Sequence, residues 1–277
     1  MGDPAPDVAT ADQPTHGKRT LVIVAIGLAA ISLALFAKGV LAERAFTAEL
    51  HQLLSPRATT ERFHVMFYNS PNTQGQNRWL GIPTVQNPND VWIIQEILFE
   101  VKPDFVVETG TYMGGSAVLW AMILREVNPA GRVLTIDIED YRSEAKRMPI
   151  FKERVDFLLG SSTAPEIVAE VKSRVAGHRV VVILDSNHRK EHVLKELLAY
   201  ADIVPIGSYL IVQDTNINGH PVVLDPNGPA AYYAGHPGPM EAIQEFLPQD
   251  KRFIIDVSRE RLMLTMNPKG YLQRVRN

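Results

Sequence analysis

The sequence predicts an α/β fold: a mostly parallel β-sheet with helices on both faces, ending in an antiparallel pair of strands. Three observations carry this reading. From residue 89 onward, short apolar runs alternate with stretches of helical period, and such alternation builds a parallel sheet because each strand-to-strand crossover returns through a helix. The stretch Phe105-Val-Val-Glu-Thr-Gly-Thr-Tyr-Met-Gly-Gly-Ser116 leads from an apolar strand, through a glycine turn, into the start of a helix. The last two apolar runs are joined by only a few residues around Arg259 and Glu260, too few for a crossover, so they pair as an antiparallel hairpin.

A chain of 277 residues accommodates one core of roughly 200–250 residues and an appendage. The 28 Lys and Arg nearly balance the 31 Asp and Glu, which gives a nucleic-acid partner held by bulk charge no support. The absence of cysteine excludes disulfides, thiolate metal sites and cysteine nucleophiles.

Taken in order, residues 1–19 have the polar, Pro-rich composition of a disordered tail. Leu21 to Ala37 carries no charge and the apolar stretch runs past Lys38 to Ala42, so residues 20–42 are long enough for one transmembrane helix, with Lys38 snorkelling. A cleaved signal peptide is the alternative, against which the apolar region is longer than the usual ~7–15 residues. Flanking charge leaves orientation open, since Lys18 and Arg19 face Lys38 and Arg44. Residues 43–88 read as a linker with a helical start stopped near Pro56 and a polar, turn-rich segment from Ser70 to Asn77.

The folded domain spans residues 89–277. Asn89 or Asp90 caps a helix whose Val91, Ile94, Leu98 and Val101 share one face, and Pro103 ends it. Strands are expected at Phe105–Val107, Val133–Asp137, Val155–Leu159, Val180–Leu184, Tyr209–Gln213, Phe253–Asp256 and Leu262–Thr265. Helices are expected near Ser116–Val127, Pro165–Ala176, Lys190–Ala201 and Pro239–Leu247. Between Asn216 and Met240 lies a Gly- and Pro-rich segment with Tyr232, Tyr233, His220 and His236, the length and composition of a lid or binding loop.

The candidate site residues sit where open α/β sheets bind ligands, at the carboxyl ends of the strands. In the first turn the spacing Gly110-x-x-x-Gly114-Gly115, with Tyr112 where a dinucleotide fingerprint needs its second glycine, argues against NAD and FAD. Glu108 at the strand end would repel a pyrophosphate but suits a cationic, amino-acid-bearing cofactor such as S-adenosylmethionine. Asp137, ending the second strand, can accept from two ribose hydroxyls, and Gly160-Ser161-Ser162 follows the third strand where an adenine edge would fall. Asp185 after the fourth strand and Gln213-Asp214 after the fifth can hold a hard divalent cation such as Mg²⁺ through oxygen ligands, which would bind a substrate hydroxyl and lower its pKa. His188 is a candidate base. His192, four residues on, reads as a helix-face residue, since a zinc site lacks its further ligands.

Together, Glu108-Thr-Gly-Thr with Gly114-Gly-Ser-Ala, Leu184-Asp-Ser-Asn-His188, the run from Gly207 to Pro221, Gly238-Pro-Met-Glu-Ala242 and Asn267-Pro-Lys-Gly-Tyr-Leu272 resemble the cephalosporin hydroxylase family. These proteins are similar to S-adenosylmethionine-dependent methyltransferases, including rhamnosyl and macrolide-sugar O-methyltransferases. The similarity covers about Trp79 to Arg274. It implies a Rossmann-like methyltransferase fold, S-adenosylmethionine at Glu108, Gly110, Gly114, Gly115, Ser116 and Asp137, and Mg²⁺ at Asp185 and the pair after the fifth strand, here Gln213 and Asp214; the residues themselves add Thr111 and Ser161 as cofactor contacts and Asp185 and His188 as catalytic groups. One departure stands out: the family pattern has Glu-Asp where this chain has Gln213-Asp214, so a cation there would be held with one negative charge fewer. The implied activity is O-methylation of a hydroxyl on a sugar or polar natural product. The partner is a small-molecule or lipid-linked glycan, a homo-oligomer is compatible, and a single-pass membrane protein would keep its catalytic domain on the cytoplasmic face. A non-catalytic, membrane-tethered cofactor-binding protein and a hydroxylase are the competing expectations.

Overall fold

The computed structural model describes residues 15–228 and 230–277; most of the expected disordered tail lies outside them. Two compact units divide the chain, one ending at Thr59 and one spanning Thr60–Asn277. The first holds helix α1 (Thr15–Leu53), which opens inside the stretch expected to be disordered. It opens at the residue after Pro14, and Thr15 to Arg19, Gly17 among them, lead without a proline into the uncharged run that sustains the helix. Its segment Ile26–Leu53 is long and apolar enough to cross a membrane, and none of it is buried within the protein. At 39 residues the helix is about 58 Å long.

Helix α2 (Pro56–Asn69) leads into a two-residue antiparallel ladder, β1 (Arg78–Trp79) with β2 (Ile82–Pro83). Helix α3 (Pro88–Val101) is capped by Asn87, whose side chain accepts from the Asn89 amide, two positions before the first of the expected caps. Asp90 does not cap because it is buried, where it accepts from the Met266 amide (2.7 Å), Tyr271 (2.8 Å), Asn87 (2.9 Å) and the Thr265 hydroxyl.

Then strands and helices alternate: β3 (Phe105–Thr109), α4 (Gly115–Val127), β4 (Arg132–Asp137), α5 (Pro149–Arg154), β5 (Val155–Leu159), α6 (Pro165–Val175), β6 (Val180–Leu184), α7 (Lys190–Tyr200), β7 (Tyr209–Val212), α8 (Pro239–Gln249), β8 (Phe253–Ile255) and β9 (Tyr271–Arg274). The sheet order is β5-β4-β3-β6-β7-β9-β8. The first five are parallel, and β9 runs antiparallel between β7 and β8. One face is covered by α3, α4 and α5 through Leu98, Trp120 and Phe151. The other is covered by α6, α7 and α8 through Val171, Leu197 and Phe246. Each fully buried aliphatic or aromatic side chain of these layers contributes about 1.5–3 kcal/mol.

The antiparallel end of the sheet is real, but its last strand is Tyr271–Arg274 and not Leu262–Thr265, so the short hairpin at Arg259–Glu260 does not form. The reason lies in where the backbone of residues 264–266 finds its partners. The Leu264 carbonyl accepts from the Asn89 side chain at 3.1 Å and the Met266 amide donates to Asp90. Met263 and Lys269 sit at positive φ, which breaks strand geometry on either side. Arg259, expected in the turn, is instead buried with Asp256 and Glu100 as its ion-pair partners.

The chain reverses its direction across the sheet after β5, so β3 and β6 are neighbours whose connections leave on opposite sides. That is the switch point where a crevice opens at the carboxyl ends of parallel strands.

Candidate active site

A cavity of about 850 Å³ occupies this crevice. Five strand ends contribute to it: Gly110, Thr111 and Tyr112 after β3, Asp137 after β4, Gly160 to Ser162 after β5, Asp185 to His188 after β6, and Asp214 after β7. Pro83 to Gln86 close one side.

The turn after β3 is shaped by glycines with no room for a side chain. Gly110 has φ +85, and a Cβ there would stand 1.9 Å from the Asp185 carbonyl oxygen. Gly115, the first residue of α4, would press a Cβ to 1.9 Å from Thr84 Oγ1 and 2.3 Å from the Pro83 carbonyl. Gly114 takes φ 82 as the residue before the helix; it shapes the turn but does not line the cavity. Ser116 and Thr111 do line it. The first amides of α4 thus open toward the crevice, an arrangement suited to a carboxylate. Asp137 accepts from the Tyr112 amide through Oδ2 at 2.8 Å, which turns its carboxylate toward the same space.

Glu108 is placed differently from the expectation. It is fully buried beneath the turn and does not line the cavity. Trp120 Nε1 donates to its Oε1 at 2.9 Å and Thr135 donates to its Oε2 at 2.8 Å. Burial pushes its carboxyl up to about 7, against the hydrogen bonds from Ser116, Thr135 and Trp120 that pull it down. Its role is to brace the turn from below: it ties β3 to α4 and β4.

At the opposite end, Asp185, His188 and Asp214 bring one ligand atom each within 4.8 Å of one another. His188 Nε2 lies 3.2 Å from Asp214 Oδ2, and its ring is 5.1 Å from that of Tyr233. Asp185 Oδ2 accepts from Gln86 Nε2 at 2.8 Å. Burial raises the Asp185 carboxyl well above its usual range, and the neighbouring charges of Asp214 and Glu108 raise it further; burial raises Asp214 too, offset by His188. No Lys or Arg lines the cavity among the described residues. Two desolvated carboxylates and an imidazole without a basic side chain between them form a donor set that fits a divalent cation.

Gln213 does not join them. It is buried, it does not line the cavity, and its Nε2 donates to Gln86 Oε1 at 3.1 Å. Gln86 thus links Gln213 to Asp185 by a chain of two amides. Ser161 lines the cavity as expected. So does His192, read from sequence as a helix-face residue; its Nε2 lies 3.1 Å from Ser162 Oγ.

Several contributors escaped the sequence reading: Gln86, Ser186, Tyr68 and Asn267. Tyr68 of α2 is pushed up by burial and then by the charges of Asp214 and Asp185, so α2 reaches the acidic end. Asn267 Oδ1 accepts from the Asp214 amide at 3.1 Å and fixes that residue at φ 53. The only available signal was the Asn267-Pro-Lys-Gly motif itself, which carries no chemistry on its face. Among the described residues, the segment from Asn216 to Gly238 is an irregular loop apart from a 3-10 turn at Ala231–Tyr233, and Tyr233 is its contribution to the cavity wall.

The rhamnosyl O-methyltransferase/CmcI family model matches residues 72–275. The chain belongs to this family. Among curated relatives, the rhamnosyl O-methyltransferase of Mycobacterium tuberculosis is 36% identical over 223 residues, covering 78% of this chain and 85% of the relative. That of Mycobacterium leprae is 33% identical over 220 residues, covering 77% and 90%. A solved structure of CmcI with Mg and S-adenosylmethionine superposes with a TM-score of 0.54 at 19% identity, covering 76% of this chain and 83% of that one. The CmcI apo structure gives 0.53 at 18%, covering 73% and 78%. These two structures bear out the Rossmann-like methyltransferase fold. As a member of the rhamnosyl O-methyltransferase/CmcI family, the chain is an S-adenosylmethionine-dependent methyltransferase.

Proposed function

We propose that this member of the family O-methylates a hydroxyl of a sugar, carried on a lipid-linked glycan or a polar natural product, at a membrane to which α1 anchors it. The observation that carries the reading is the meeting of Asp185, His188 and Asp214 at one end of a cavity whose other walls are the Gly110 turn and Asp137. The identity to rhamnosyl O-methyltransferases over most of the chain supports a sugar acceptor.

S-adenosylmethionine, when bound, supplies a methyl group on a sulfonium centre. The glycine turn and the start of α4, with Ser116, would receive its amino-acid end, and Asp137 would accept from the ribose hydroxyls. A cation such as Mg²⁺ would rest on Asp185 and Asp214. His188, its Nε2 held 3.2 Å from Asp214 as the donor to that carboxylate, would take at its other ring nitrogen the proton that the acceptor hydroxyl loses as its oxygen gains the methyl group. Pro83 to Gln86 and Tyr233 form part of the wall around the site. Gln213, neutral and turned to Gln86, leaves the cation with less negative charge than a glutamate would.

The apolar, unburied length of α1 supports a membrane-associated segment at this end of the chain. Because the cofactor is made in the cytosol, the catalytic unit would face the cytoplasm. Proteolysis of sealed vesicles checks this: protection of the domain on the luminal or outer side would overturn it. The activity is tested by titrating the full chain with S-adenosylmethionine, with and without Mg²⁺, and then following methyl transfer to rhamnosyl acceptors with and without a lipid aglycone. Cofactor binding with no transfer to any sugar would overturn the acceptor assignment.

A further inference from the structure

The cavity wall beyond Asp137 contains a buried carboxylate that methyl transfer does not use. Glu196, on α7, is 0% exposed. Its Oε1 accepts from Ser162 Oγ at 2.5 Å and from Ser186 Oγ at 2.7 Å, while its Oε2 has no hydrogen-bond partner. His192 Nε2 lies 3.1 Å from Ser162 Oγ, 3.2 Å from Ser186 Oγ and 3.4 Å from Glu196 Oε1. Ser162, Ser186 and His192 all line the cavity.

This network fixes the direction of every hydrogen in it. Ser162 and Ser186 each donate to Glu196 Oε1, so both serine hydrogens are committed to that oxygen. With those hydrogens used, His192 Nε2 meets the two hydroxyl oxygens as an N–H donor. Ser162 and Ser186 therefore have only lone pairs left to offer. A hydroxyl is ordinarily free to rotate and to serve as donor or acceptor; here Glu196 removes that choice.

We propose that Glu196 is a positioning residue that makes this wall read the exocyclic amine of adenine and reject a 6-oxo purine. The inference rests on the reading that the cofactor fills the cavity with its ribose at Asp137. The base then meets the next strand end, Gly160 to Ser162, together with Ser186 of β6's loop. Adenine presents a donor at its 6-position, which two hydroxyl acceptors satisfy. Hypoxanthine presents a carbonyl oxygen there, which faces lone pairs with no hydrogen to share. Sites built around such a donor–acceptor match discriminate far more strongly than apolar pockets do.

The test is calorimetry on the full chain with S-adenosylhomocysteine and its deaminated analogue, S-inosylhomocysteine. The wild type is expected to prefer the adenine ligand by at least ~100-fold. Glu196→Leu keeps about the same volume but removes the acceptor that Ser162 and Ser186 share, freeing both hydroxyl hydrogens toward the cavity. The preference then falls ~10-fold or more, partly because the inosyl ligand binds more tightly. Ser186→Ala removes one acceptor without touching Glu196, and is expected to lower the preference by about 5–10-fold. Equal binding of the two ligands by the wild type, or parallel weakening of both ligands in both variants with the ratio unchanged, overturns the proposal. Absence of any heat from the wild type with either ligand overturns the cofactor reading and this inference with it; binding without selectivity overturns this inference alone.

Discussion

The two ends of the cavity are built by opposite means. At the cofactor end the backbone does most of the holding: the Gly110 amide donates to the Ile136 carbonyl at 2.8 Å, the Gly160 amide to the Asp137 carbonyl at 2.8 Å, and the Gly114 amide to the Thr111 carbonyl at 2.8 Å. At the acidic end the holding is by side chains from distant stretches: Gln86 on Asp185, Asn267 on Asp214, and His64 of α2 on Asn216. A backbone-built site tolerates change in most side chains but none at its glycines. A side-chain-built site tolerates small losses one at a time, and its chemistry can be retuned by a single exchange such as the Gln at 213.

The sharpest way to break that comparison is to remove the chemistry while leaving the backbone alone. Asp185→Asn or Asp214→Asn should lower methyl transfer by ~10²–10⁴-fold, measured by single-turnover transfer, while calorimetric cofactor binding changes by less than ~10-fold. Loss of cofactor binding to the same degree would mean that the two ends are one unit. The converse experiment is Gly110→Ala. A left-handed alanine costs ~1–2 kcal/mol and the collision with the Asp185 carbonyl a further ~1–3 kcal/mol, so unfolding free energy should drop by about 2–5 kcal/mol and cofactor binding should vanish together with it.

Glu108 tests the brace beneath the turn. Its carboxyl is raised from 4.5 to about 7 by burial, so the folded state holds that proton more tightly than the unfolded chain. Its stabilising contribution is complete below pH 4.5 and is lost as pH rises through 7. Across that window the loss is about 3 kcal/mol at most. Urea unfolding of wild type and Glu108→Gln at stepped pH should give curves that diverge as pH rises, with the variant flatter; parallel curves would remove Glu108 from the account. The smallest expected effect is at Asn267→Ala, which takes away the acceptor of the Asp214 amide. It should cost about 1 kcal/mol and slow transfer several-fold without changing cofactor affinity.

The same contrast explains what the sequence disclosed. The glycine turn, strands β3 to β8 and all four helices expected beyond β3 were legible, because apolar period and glycine spacing are local properties. Asp137, Asp185, His188 and Asp214 could be placed because strand ends gather on one side of a parallel sheet. Glu108 was legible as a strand-end acid, but the direction it points depends on Trp120, twelve residues on, and on Thr135 of the next strand. Gln86 was invisible, since nothing local links it to Asp185 99 residues away. The run Leu262–Thr265 looked like a strand because apolar alternation does not register that Asn89 and Asp90 wait to take its backbone groups.

The placement of β9 between β7 and β8 also orders events during synthesis. Strand β8 pairs with β9 and with no other strand, so once Phe253–Ile255 has been made it has no ladder to join until Tyr271–Arg274 follows. Asn267, which holds Asp214, lies in the same late segment. The parallel half of the sheet and its cofactor turn can form while translation continues, whereas the acidic end is completed only when the last strand slides into its slot.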